Sequence, residues 1–124
     1  MDNWTYVGRA DFGSNPGVSL EGYTYDEVLA VAHCNDFDLW DGQTGSNPQL
    51  LTSTPSFEFY WIPNLNEVQL SQSVQQLVGS NLLVTVLFNS AYVRTYKVRS
   101  INRSNGTTSN YNTASHGYLD VYCR

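Results

Sequence analysis

The sequence predicts an all-β fold: one domain over residues 1–124, a β-sandwich or jelly roll of about eight short antiparallel strands. Apolar and polar residues alternate with a period of two in several short runs. Gly, Asn, Ser and Pro separate those runs. Charged residues are only 14% while 41% are hydrophobic, enough for a core and too apolar for a disordered chain.

Trp4–Ala10 alternates and runs into the turn-rich segment Asp11–Gly17. Val18–Leu20 is a brief strand ending before Gly22. Asp26–His33 is apolar on both faces, with Val28, Ala30 and Ala32 on one and Leu29 and Val31 on the other, which marks a central strand covered on both sides. Ser56–Pro63 alternates Phe57, Phe59 and Trp61 against Glu58, Tyr60 and Ile62, so Trp61 is expected in the core. Leu82–Phe88 is apolar on both faces, Tyr92–Ile101 alternates over its length, and Tyr118–Cys123 places Leu119, Val121 and Cys123 on one face. The stretch 66–79 is ambiguous. Leu70, Val74, Leu77 and Val78 fall at helical spacing and Gly79 can close a helix, so a strand-like start followed by a short helical segment near 70–78 is expected.

Composition excludes several functions. A net charge of −5 argues against nucleic-acid binding, which needs a basic face. No apolar run has the length of a transmembrane helix, so no membrane partner is expected. The N-terminus lacks the basic start and apolar core of a secretory signal, which points to synthesis in a cytoplasm and to Cys34 and Cys123 as buried free thiols. Two Cys and two His are scattered singly, without zinc spacing, and no glycine-rich loop precedes a helix, so no cofactor is expected.

The densest group of functional side chains is "HCNDFDLWDGQTG", His33–Gly45. Asp36, Asp38 and Asp41 followed by Gly42 are similar to a calcium loop, but the third Asp arrives one position late and no Glu closes the site. An exposed connecting loop without metal is the expectation. His33 and Cys34 are adjacent, so on a strand they face apart, which argues against a thiol–imidazole pair; His33 is read as a strand-end residue satisfied by backbone. Asp26 and Glu27 are likewise neighbours, and no pair of carboxylates for sugar hydrolysis is visible. Aromatics are the better lead: Trp40 and Tyr60, with Asp38 and Asp41 beside the former, are the candidate contacts for a partner subunit or a sugar. Arg94, Lys97, Arg99 and Arg103 are four of the six basic residues. Alternation puts Lys97 and Arg99 on one face and Arg94 on the other. The simplest reading is a charged edge that blocks strand pairing, with a patch for an acidic partner as the alternative.

Trp4 followed by Val7–Gly8, then Val18–Ala32, "FYWIP" at Phe59–Pro63 and the closing "LDVYCR" resemble the small β-rich modules of bacteriophage tail fibres, tail tips and minor structural proteins. The resemblance implies a non-enzymatic virion component made in the host bacterial cytoplasm. It further implies a homo-oligomer, with a trimer favoured, that contacts other virion subunits or a host-surface glycan. A capsid decoration or head-fibre protein and a free-standing carbohydrate-binding module are the alternatives.

The triple substitution Asp36→Asn, Asp38→Asn, Asp41→Asn is expected to keep the fold and the melting temperature within a few degrees. EDTA should leave the wild-type melting temperature unchanged. A calcium-dependent rise of about 10 °C would establish a metal site, because a ligand that binds only the native state stabilises it by mass action.

Overall fold

The computed structural model describes residues 3–35, 38–40, 48–50, 56–65, 67–77 and 80–124. It is an all-β sandwich of two antiparallel sheets. The first has the order β1 (Thr5–Asp11), β11 (Gly117–Cys123), β3 (Val28–Cys34), β6 (Ser56–Trp61). The second has the order β10 (Thr108–Asn110), β9 (Tyr92–Asn102), β8 (Ser80–Phe88), β7 (Gln69–Leu77), with the two-residue β2 (Val18–Ser19) also pairing with β9. The one helical element among the described residues is a 3-10 turn at Ala114–His116, and no described helix could cross a membrane.

Alternation decides which side chains meet between the sheets. Val28, Ala30, Ala32 and Cys34 of β3, Phe59 and Trp61 of β6, and Leu119 and Val121 of β11 face Leu82, Val84, Val86 and Phe88 of β8 and Val93 and Val98 of β9. Trp61 stacks on Phe88 across the interface with ring centroids 5.8 Å apart. The small Ala30 and Ala32 lie beside Phe59 and Phe57 in register, so large and small residues fill one layer. Gly117 begins β11 with φ 150°; a Cβ there would lie 2.3 Å from the His33 carbonyl oxygen and 2.5 Å from the Phe12 ring. Only glycine lets β11 approach the end of β3 so closely.

The segment near 70–78 differs from the expectation. Residues 69–77 are a strand, paired with β8 from Gln69↔Phe88 to Leu77↔Ser80; Val78 and Gly79 lie outside the described residues. Leu70 and Val74 are four apart, a spacing that fits one face of a strand as well as a helix. The ladder to the strongly apolar β8 satisfies the backbone over the whole length, which an isolated helical turn cannot match. The strand turns polar residues inward, with Ser71, Ser73 and Gln75 half-buried, and leaves Leu70 and Val74 more than half exposed.

Tyr92–Asn102 also differs from its reading as an edge: β9 is interior, between β8 and β10. Asp38–Trp40 forms a short strand, β4, paired with β5 (Pro48–Leu50), where a connecting loop was expected. Asp36 and Asp41 lie outside the described residues.

Cys34 and Cys123 are buried and unbridged. Cys34 faces Gly117, six residues before Cys123 on β11. That is roughly 20 Å at strand spacing, far beyond disulfide reach. Burial pushes the Cys34 thiol up to about 12 and raises that of Cys123 as well. Native protein at about pH 8 should resist alkylation, and the unfolded chain should take up two labels without prior reduction. Labelling that required a reductant would contradict the geometry. Trp61→Ala should destabilise the domain by about 3–5 kcal/mol in denaturant unfolding, by removing the largest buried ring.

Candidate functional site

The outward face of the four-stranded sheet collects the chemistry. Across β1, β11, β3 and β6 the register aligns Tyr6, Tyr122, Leu29 and Tyr60 in one row. Arg9, Asp120, Val31 and Glu58 form the next, and Asp11, Tyr118, His33 and Ser56 the third. A bulge in β1 between Tyr6 and Gly8 makes this possible. Without the extra residue Tyr6 and Arg9 would point to opposite faces; with it both stand over β11.

Asp120 is the centre. Its side chain is 7% exposed. Arg9 donates Nε to Oδ1 at 2.8 Å and Nη2 to Oδ2 at 3.1 Å, and the Tyr6 hydroxyl donates to Oδ1 at 2.9 Å. His33 Nε2 lies 3.4 Å from Oδ2. Burial alone would raise the Asp120 carboxyl; the hydrogen bonds from Arg9 and Tyr6, with the charge of Arg9 and the imidazole of His33, outweigh it and hold the group below the usual carboxylate range. Tyr118 braces the network: Arg9 lies 4.0 Å over its ring, and the His33 ring packs 4.9 Å from it.

On its other side His33 meets Ser56, whose Oγ is 3.2 Å from Nδ1. Hydroxyl, imidazole and carboxylate thus stand in line, the order of a nucleophile relay. Two bonds from Arg9 and one from Tyr6 already engage Asp120, which weakens it as a base toward imidazole. Two open clefts, one along β9 and β10 and one bounded by Trp61, Pro63, Glu67, Val68 and Ser90, lie away from Ser56 and His33. His33 is satisfied by side chains rather than by backbone, a correction to its reading from sequence.

A second aromatic group lies at the end of the first row. Trp4 and Tyr60 pack with centroids 5.9 Å apart, and Arg124 lies 4.2 Å over Trp4 while bonding Glu27 at 2.5 Å. Tyr60 is 51% and Tyr6 49% exposed. The margins of this face therefore present aromatic surface, while Leu29, Val31 and Asp120 at its middle are buried.

Of the residues singled out from sequence, Tyr60 is placed on this face. Asp38 and Trp40 have their backbone in β4, with side chains outside the described residues, as is Asp41 altogether. Among the described residues no group of three His, Cys, Asp or Glu is placed to hold a metal. Asp120, Arg9 and Tyr6 escaped the sequence reading. The available signal was a lone carboxylate in the otherwise apolar "YLDVYC", which on a buried strand requires a cationic partner.

No protein-family model matches the chain, and neither a curated protein nor a solved structure matches it.

Asp120→Asn should cost about 2 kcal/mol at pH 7 in denaturant unfolding, the scale of a hydrogen-bonded buried charge whose exposed partner can return to water. The native carboxyl lies below its unfolded value. Its contribution is therefore complete above the ordinary carboxylate range and fades as pH falls through the lowered native value. The gap between wild type and Asp120→Asn should narrow on acidification; a gap independent of pH would show that the ionised form is not what the network stabilises.

Proposed function

We propose that the chain is a non-enzymatic module acting by surface contact, as a structural or adhesion component of a bacteriophage particle that associates with itself and with other virion subunits. The observation that carries this reading is the aromatic row of the four-stranded sheet, with Tyr6 and Tyr60 half exposed and Trp4 beside them. Aromatic rings on a stiff sheet offer large contact area at little cost in side-chain entropy, which is why interfaces favour them. The virion assignment rests on the sequence resemblance. Val7–Gly8 lie in β1, "FYWIP" and "LDVYCR" supply half of β6 and most of β11, and Val18–Ala32 supplies β2 and most of β3, so four of the five strands they touch make this one sheet.

Self-association has support from the other sheet. Its edge strand β7 leaves Leu70 and Val74 more than half exposed, beside the unpaired backbone of the sheet edge. A trimer is the favoured assembly. A carbohydrate-binding module is the second reading, favoured by the exposed ring of Tyr60 beside Trp4, with Glu58 in the adjoining row to accept from sugar hydroxyls.

Light scattering after size exclusion should report an oligomer that Leu70→Glu/Val74→Glu dissociates without loss of strand circular dichroism. Tyr60→Ser should fold normally, since exposed substitutions shift stability by about 0.5 kcal/mol or less, yet lose partner or glycan binding. A strict monomer at high concentration that binds neither virion proteins nor a glycan array would refute the proposal.

A further inference from the structure

Strand β9 carries a second constellation, on the opposite sheet. The register with β8 slips between Val86↔Thr95 and Thr85↔Lys97, so Tyr96 is an extra residue. Before the bulge Val93 and Thr95 face the core, and after it Val98, Ser100 and Asn102 do. The phase change turns Arg94 to the same outer face as Lys97 and Arg99, whereas unbroken alternation would put it on the other side. Tyr96 lies between, with the Arg94 guanidinium and the Lys97 ammonium each 5.5 Å from its ring centroid.

These cations lack the counter-charges found elsewhere. Arg9 has Asp120 and Arg124 has Glu27. Among the described residues no carboxylate forms an ion pair with Arg94, Lys97 or Arg99, in a chain with eleven acidic and six basic residues. Lys97 and Arg99 are two residues apart, about 7 Å along the strand, and repel one another.

An open cleft of about 370 Å³ lies against them, lined by Tyr96, Lys97, Arg99, Thr108, Asn110 and Asn112. Its volume falls in the usual range of small-molecule sites, ~300–1,000 Å³. Two features make it a built site. Arg99 Nε is buried and has no hydrogen-bond partner among the described residues, so part of the guanidinium's desolvation is not offset by the protein. The far wall is fixed: Asn112 accepts from Thr95 Oγ1 at 2.7 Å and reaches the Tyr96 carbonyl with its Nδ2 at 3.4 Å. Asn110 stands opposite Arg99 in register, and its Oδ1 accepts from the Asn112 backbone N–H, which leaves its Nδ2 donors for a ligand.

We propose that this cleft binds an acidic saccharide, a sugar bearing a carboxylate or a phosphate. The oxyanion is taken by Arg99 and Lys97. Asn110 and Thr108 bond neighbouring hydroxyls, and the Tyr96 ring meets the apolar face of the sugar. The unpaired guanidinium selects an oxyanion, since a planar fork suits carboxylate and phosphate oxygens. The net charge of −5 keeps long polyanions away while a single charged sugar can approach. The site is on the other sheet from the aromatic row, so it stands or falls separately from the contact function.

The test is a titration of isotope-labelled protein with D-glucuronate, glucose 6-phosphate and glucose, followed by amide chemical shifts. At least one of the two anions should shift the amides of residues 96–99 and 108–112, and the stronger of them identifies the oxyanion. Glucose should bind at least about tenfold more weakly, one charge-assisted hydrogen-bond pair being worth that much or more. Arg99→Gln and Lys97→Gln should each weaken the anion about tenfold or more; Lys97 is exposed, so that variant keeps its fold. Raising NaCl should weaken binding further, as screening requires. Glucose binding equal to glucuronate, undiminished binding in Lys97→Gln, or no shift with either anion would overturn the proposal.

Discussion

The structure depends on burying one face of each sheet against the other, with Trp61 stacked on Phe88 across that interface. In a chain of 124 residues, one such layer must supply nearly all of the hydrophobic stabilisation. The consequence is that β3, β6, β8, β9 and β11 give alternate residues to the core. The remaining residues are free to carry chemistry, but only in the phase that the core leaves them.

Two bulges change that phase, and both do so where the surface chemistry is densest. In β1 the extra residue brings Tyr6 and Arg9 together over Asp120. In β9 it brings Arg94 beside Lys97 and Arg99. A bulge costs one unpaired residue in a ladder and in return re-aims every side chain on one side of it. The two sheets then treat charge in opposite ways. On the first, each cation is matched: Arg9 with a buried carboxylate, Arg124 with Glu27 and the face of Trp4. On the second, Arg94 and Lys97 share a tyrosine ring, and among the described residues neither they nor Arg99 pair with a carboxylate. Matched charges rigidify a surface, and unmatched ones leave it able to take up a ligand.

The polar network around Asp120 also fixes the long-range order of the first sheet. It links β1 to β11 and β11 to β3, joining Asp120 to Tyr6 and Arg9, more than a hundred positions away, and to His33. A carboxylate at 7% exposure tolerates that site only because its lone pairs are engaged by groups from the two flanking strands, Tyr6 and Arg9 of β1 and His33 of β3. Removing any one partner leaves part of a buried charge unsatisfied. Tyr6, Arg9 and Asp120 therefore act as a unit.

What the sequence determined by itself was the fold class, the strand identity of β1, β3, β6, β8, β9 and β11, and the burial of Trp61 and the two cysteines. These follow from local alternation, which any window of six or seven residues displays. Tertiary structure alone decided the rest, for reasons of range and phase. Leu70 and Val74 satisfy helical and strand periods equally, and only the apolar β8 alongside resolves them into a strand. Arg94 was read onto the wrong face because one inserted residue shifts a two-residue period by half, and nothing in "VRTYKV" announces where the insertion falls. Asp120 looked like one polar residue among apolar neighbours until folding brought Arg9 and Tyr6 to it. Tyr60 was legible through its alternation with Phe59 and Trp61; its companion Trp4 was not, because the two are far apart in the chain and meet only in the folded structure. Alternation is written in neighbouring residues, whereas register, bulges and the pairing of distant charges exist only once the strands lie side by side.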